Sequence, residues 1–171
     1  MSKRHHDNYE MSTRERILKV LSHTSNDFEV FELLEKFADV AQSKNDVMLL
    51  VDFLERNQNP IVRHEAAAQL LELARDKPML MKRVKQKVLE ALMKRASDDA
   101  NVTSRHEAIE VLGYLGDEKA IPVLRPNLNH ENEDIRYTAR IALDVLQFRL
   151  DRKLNASELW KAIVDGRHLG T

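Results

Sequence analysis

The chain reads as an all-α, right-handed solenoid of helical hairpins. Three observations predict this fold. Apolar residues recur at intervals of three and four along most of the length, the period of a helix with one buried face. The composition is that of a helical protein, with 32% charged residues, only 5% aromatic and abundant Leu, Ala, Glu and Lys. A tetrapeptide also recurs: Arg63-His64-Glu65-Ala66 returns as Arg105-His106-Glu107-Ala108, and a third frame, Arg136-Tyr137-Thr138-Ala139, keeps the outer residues. The three arginines are spaced by 42 and then 31 residues, and each is followed seven positions later by leucine: Leu70, Leu112 and Leu143. Such periods mark stacked units that bury their apolar faces only against their neighbours.

Each element can be justified in turn. Ser12 to Ser22 reads as a first helix, with Ser12 as cap and Glu15 completing a capping box. Asp27 to Gln42 reads as one second helix, carried by Phe28, Phe31, Leu34, Ala38 and Ala41. A third helix, capped by Asn45 or Asp46, carries Val47, Leu50 and Phe53 and ends at the polar turn Asn57-Gln58-Asn59-Pro60. Pro60 suits the first turn of the next helix, Ile61 to Arg75, where its missing N–H is harmless. A longer helix is expected from Met79 to Ala96. The second His-Glu helix then ends at Leu115-Gly116, where Gly116 fits a left-handed cap. A short helix from Glu118 to Leu128, a long one from Asp134 to Arg152 and a terminal one with Leu159, Trp160 and Ile163 complete the expectation. One domain is expected over 12–165, with the clearest repeats at 45–150, between a disordered tail over 1–11 and a second tail over 166–171.

Composition narrows the function. Lys and Arg number 27 against 28 Asp and Glu, so the basic field that a nucleic-acid or anionic-membrane binder needs is not expected. The basic run from Lys82 to Lys87 reads as a solvated helix face, because no aromatic platform accompanies it. There is no cysteine, which excludes disulfides and thiolate metal sites and predicts a cytoplasmic location. No apolar run approaches the roughly 20 residues that span a bilayer.

The stretch Val102 to Leu146, with Gly113-Tyr114-Leu115-Gly116-Asp117 and Ala120-Ile121-Pro122-Val123-Leu124, resembles the short HEAT-like repeats of phycobilisome-lyase-type proteins. The resemblance covers about Asn45 to Leu150 and implies an α-solenoid. It implies, first, a non-catalytic interaction scaffold that binds a protein partner through the helices beginning at Ile61, Val102 and Asp134. Glu65, Gln69 and Glu72 share one helix face at i, i+4 and i+7, and Glu110 and Tyr114 stand on the corresponding face of the next repeat. These five residues are the expected partner surface.

The His-Glu pairs raise a second reading from a different class. Imidazole and carboxylate suit iron, manganese or zinc, and equivalent solenoid helices stack about 8–10 Å apart, close enough for two pairs to share a patch. The pairs resemble those of deoxyhypusine hydroxylase, a di-iron oxygenase built from HEAT-like repeats. That resemblance implies His64, Glu65, His106 and Glu107 as metal ligands and iron as the metal. The family's pattern has four pairs and this chain has two, since Tyr137-Thr138 breaks the third and His130-Glu131 lies out of frame in a turn. A two-fold homodimer would restore four. Arg63, Arg105 and Arg136 are expected to be structural, pairing with acidic turn residues or capping carbonyls.

Overall fold

The computed structural model describes residues 11–152, and among them it contains helices and turns only. The expected terminal helix, the tail at 166–171 and all but the last residue of the tail at 1–11 lie outside the described residues. The helices are α1 (Thr13–Leu21), α2 (Asp27–Leu34), α3 (Phe37–Val40), α4 (Lys44–Arg56), α5 (Pro60–Asp76), α6 (Pro78–Lys82), α7 (Lys85–Asp98), α8 (Val102–Leu115), α9 (Ile121–Asn127) and α10 (Glu133–Arg152). A single 3-10 turn, Glu118–Ala120, leads into α9.

The helices form two layers. α2, α5, α8 and α10 pack in sequence along one layer, here called the inner layer, while α4, α7 and α9 line the other; each hairpin packs across the layers and against the next hairpin. This is the α-solenoid the repeat spacing predicts. The alanine three residues after each repeat arginine is fully buried at Ala66, Ala108 and Ala139. Leu70 and Leu112 are equally buried; Leu143, in the last described repeat, is half-buried.

Small side chains set the spacing of the inner layer. A Cβ on Gly113 of α8 would stand 2.6 Å from Ala142 Cα of α10, closer than atoms pack. Gly116 ends α8 in the left-handed conformation at φ 58°, as expected of that cap. Here too a side chain would meet Arg149, whose Cδ lies 2.3 Å from where the Cβ would be.

Two expected helices are broken. The segment read as one helix over Asp27–Gln42 is split at Glu35-Lys36 into α2 and α3. A broken helix frees backbone donors and acceptors, which must find partners when buried. Gln69, reaching from α5, supplies them: its Oε1 accepts the Ala38 N–H at 2.8 Å and its Nε2 donates to Glu35 O at 3.4 Å. Lys77 caps the far end, its ammonium donating to the carbonyls of Ala38, Asp39 and Ala41 at 2.7–2.8 Å. The Met79–Ala96 helix is likewise split, into α6 and α7, where Arg83 and Val84 donate three residues back instead of four. The cap of α4 is Ser43, not Asn45 or Asp46; Asp46 closes the capping box from the third helical position.

The repeat arginines clamp the turns. Arg63 grips the Asp99 carboxylate with two bonds of 2.8 Å and donates to the carbonyls of Asn57 and Gln58 at 3.0 and 2.9 Å. Asp99 also accepts from Ser104 Oγ and the Asn101 N–H. Burial alone would raise the Asp99 carboxyl; the bonds from Arg63, Ser104 and Asn101 outweigh it and hold the group below its ordinary value. Arg14 grips Asp46 in the same bidentate way, at 3.0 and 2.6 Å. Arg136 caps the carbonyls of His130 and Glu131, both at 2.8 Å.

Removing one partner of a buried ion pair leaves the other charge uncompensated. Arg63→Ala is therefore expected to lower the unfolding free energy by about 3–5 kcal/mol in urea denaturation. Gly113→Ala is expected to lower it by about 1–3 kcal/mol, the usual range for overpacking a tight contact.

Candidate metal centre between two repeats

α5 and α8 enter the inner layer in the same register, each from an asparagine cap: Asn59 accepts from Ile61 N–H and Asn101 from Ser104 N–H. The shared register places His64-Glu65 and His106-Glu107 at equivalent heights on adjacent helices. The second and third residues of the repeat tetrapeptide then interlock between neighbours. His64 Nε2 lies 3.3 Å from Glu107 Oε2 of the next repeat. One repeat further, His106 Nδ1 lies 2.7 Å from Thr138 Oγ1. Tyr137, at the histidine position of the last described repeat, is exposed.

Glu110 joins this cluster from one turn along α8, its Oε2 standing 3.5 Å from His106 Nε2. One donor atom from each of His106, Glu107 and Glu110 lies within 4.8 Å of the others. With His64 bonded to Glu107, two imidazoles and two carboxylates from two repeats meet in one patch. Glu65 lies at its edge: it is buried, and its Oε1 accepts from Gln69 Nε2 at 2.9 Å. Of the four residues expected as ligands, the structure thus brings His64, His106 and Glu107 together and ties Glu65 to Gln69.

Thr138 sets the tautomer of His106. Its hydroxyl donates to the Asp134 carbonyl at 2.8 Å, so the same oxygen must accept from His106 Nδ1–H. The neutral imidazole then carries its lone pair on Nε2, the nitrogen that faces Glu110. Two ligands of one metal ion with bonds of about 2.1 Å sit roughly 3 Å apart in neighbouring positions. The separations of 3.3 and 3.5 Å within the two His-Glu contacts are near that value.

The expected partner face differs from this arrangement. Gln69 is buried and its amide is consumed by the α2–α3 break. Tyr114 is also buried, with the Arg149 guanidinium 5.1 Å from its ring centroid. Neither lies on an open surface, because the face that carries them packs against neighbouring repeats. Glu65 is buried as well, while Glu72 and Glu110 are half-buried, Glu72 in an ion pair with Arg75. Sequence reasoning assigned Glu110 only to that face; its place four residues after His106 is the signal that links it to the imidazole.

Hydrogen bonding and burial set the charge of the cluster. The bond to Glu107 raises the His64 imidazole above its ordinary pKa, against the opposing pull of burial. The bond to Glu110 does the same for His106, with burial and the charge of His64 opposing. Burial pushes the Glu65 carboxyl up, against its bond to Gln69 and the charge of His64. A group whose folded pKa is raised adds stability below its unfolded pKa, and that stability is lost as pH rises through the folded value. Metal-free protein is therefore expected to be more stable than a His64→Gln, His106→Gln variant at pH 6. That difference should shrink as the pH is raised past the histidine range, as read by urea denaturation across pH.

Fold and cluster together define a class: a two-layer helical-repeat scaffold with an imidazole–carboxylate patch between adjacent repeats. The chain belongs to the HEAT-repeat family, whose model matches residues 47–144, more than half of its length. It is also similar to deoxyhypusine hydroxylase of Cryptococcus neoformans, 29% identical over 105 residues that cover 60% of this chain and 27% of the relative. The match thus spans well under two thirds of that relative's own length. Among the described residues no helix is long and apolar enough to cross a membrane.

Proposed function

We propose that this chain is a HEAT-repeat binding scaffold that holds a divalent first-row transition metal between its repeats. The proposed ligands are His64 and His106 through Nε2, and Glu107 and Glu110 through their carboxylates. The observation that carries the reading is the convergence of His106, Glu107 and Glu110 on α8, with His64 of α5 in contact with Glu107. Mixed imidazole and carboxylate donors suit iron, manganese and zinc, and the similarity to deoxyhypusine hydroxylase favours iron among them. The surroundings fit the role. Thr138 orients His106 from behind, as outer partners of metal-bound histidines do, and Gln69 orients Glu65 at the rim. A bound metal would supply Lewis-acid or redox chemistry; the chain's own residues hold, orient and neutralise it.

Two imidazoles and two carboxylates leave room for further ligands in a six-coordinate shell. A second copy of the chain meeting this face about a two-fold axis would double the cluster, because such an interface brings the same patch from both sides. An oxygenase assembled in this way is the stronger form of the proposal. The milder form is a protein-binding scaffold in which the half-buried Glu72 meets a partner and the metal orders the face. We propose a cytoplasmic location as well, for which the absence of cysteine is the support.

The test is elemental analysis and isothermal titration with Fe(II) or Mn(II) under anaerobic conditions, with mass by light scattering. Wild-type protein is expected to bind metal near stoichiometrically, with affinity rising with pH because the metal displaces imidazole protons. His64→Ala, His106→Ala should lose binding with helicity intact, and full retention would refute the ligand assignment. Thr138→Val, which removes only the partner of His106 Nδ1, is expected to weaken binding by about 10-fold or more. Charge reversal at Glu72 separates the two forms: it should weaken a protein partner and leave metal content unchanged.

A further inference from the structure

The turns that precede α5, α8 and α10 share one design. Two residues before each asparagine cap, a side chain accepts the cap's own backbone N–H: Asn57 for Asn59, Asp99 for Asn101 and His130 for Asn132. In the turn before α8 that residue is an aspartate, and the preceding repeat's Arg63 grips it with both nitrogens of one edge. In the turn before α10 the same position is His130. The arginine of the preceding repeat, Arg105, therefore shares a cleft with an imidazole where Arg63 grips a carboxylate.

Arg105 is held in place nonetheless. Its Nε donates to Asn127 Oδ1 at 2.9 Å, and Asn127 is itself buried and fixed by donating to the carbonyls of Ala96 and Val123. The two terminal nitrogens of the guanidinium have no hydrogen-bond partner among the described residues. They border a cleft of about 590 Å³ between the two turns, lined by Asp99, Ala100, Val102, Arg105, His130, Glu131 and Asn132. His130 Nδ1 accepts the Asn132 N–H, so in the neutral ring the proton sits on Nε2 and offers a second donor. The cleft's own carboxylates do not neutralise Arg105. Both oxygens of Asp99 are engaged by Arg63, Ser104 and Asn101, and Glu131 is exposed, with no bond to Arg105 among the described residues.

We infer that this cleft is a carboxylate-binding site, in which Arg105 and His130 take an aspartate or glutamate side chain of an acidic peptide segment in place of the internal aspartate used one repeat earlier. Guanidinium binds a planar carboxylate through two parallel N–H bonds, and its Nε is already fixed, so little side-chain entropy remains to be lost. The occupant is a carboxylate because the vacated partner is one. The ligand set lies at the turn end of the inner helices and includes none of the proposed metal ligands.

The test uses the full chain in the presence of chelator, so it does not depend on the metal proposal. A capped tetra-aspartate peptide and, separately, inorganic phosphate are titrated at fixed ionic strength while backbone amide resonances are followed. The peptide is expected to shift Asn101, Val102 and Asn132 saturably, and phosphate to shift them at least tenfold more weakly. His130→Asp restores the carboxylate of the preceding repeat; it should raise the melting temperature and reduce peptide affinity at least tenfold. Arg105→Gln should reduce it similarly without raising the melting temperature. Absence of peptide shifts, equal binding by His130→Asp, or tighter binding of phosphate than of peptide would each overturn the assignment.

Discussion

The close approach of successive inner helices is the constraint on which the rest of this structure depends. Ala66, Ala108 and Ala139 are fully buried in equivalent positions, and Gly113 lets the α10 backbone at Ala142 come nearer than any side chain would permit. Small residues fix separation and register together, because a close-packed interface tolerates neither a gap nor an added methyl group. With the register fixed, the third residue of each repeat motif falls against the second residue of the motif before it. The His64–Glu107 and His106–Thr138 contacts are consequences of that single geometric rule.

The turns obey a second rule, in which polar side chains take over bonds that the chain reversals leave unmade. Arg63 and Arg136 cap the carbonyls of the turns that precede their own helices, and Arg63 also reaches forward to Asp99. Gln69 and Lys77 do the same work at the break between α2 and α3. These buried polar groups tie each hairpin to the next through bonds that water cannot replace once the layers have closed. They are costly if half satisfied, which is why each brings several partners. Arg105 departs from this pattern, since the turn of the next repeat carries His130 where the turn that Arg63 reaches carries Asp99.

Electrostatics connect this architecture to the proposed chemistry. The His-Glu patch combines two proton-accepting imidazoles with carboxylates, so it holds protons and, in the proposed reading, exchanges them for a metal cation. Glu107 and Glu110 favour the positive form of each histidine, while burial opposes it for both and the charge of His64 opposes it for His106. A divalent cation would satisfy the carboxylates and both lone pairs at once. The similarity to deoxyhypusine hydroxylase covers only part of that enzyme. In the proposed reading, a chain with two His-Glu pairs is a binding half that another surface would complete.

Much of this molecule was legible in its sequence. The period-three-and-four pattern and the spaced arginines gave the repeat architecture, because helix periodicity and local caps are short-range properties written residue by residue. Ser12 with Glu15, Pro60 at a helix start and Gly116 at a helix end could be read for the same reason. Two straight helices were expected where α2–α3 and α6–α7 are broken, because the bonds that make the first break tolerable come from Gln69 and Lys77, more than thirty residues away. The outward, polar reading of Gln69 and Tyr114 failed on the same ground: helix period says which residues share a face, not what covers it. His64, Glu65, His106 and Glu107 were visible as a motif, and the spacing of Glu110 four residues after His106 was there to be read, but Thr138 as the group that sets the His106 tautomer was not. That role exists only once two repeats are stacked, since the distance that defines it runs between side chains on separate helices.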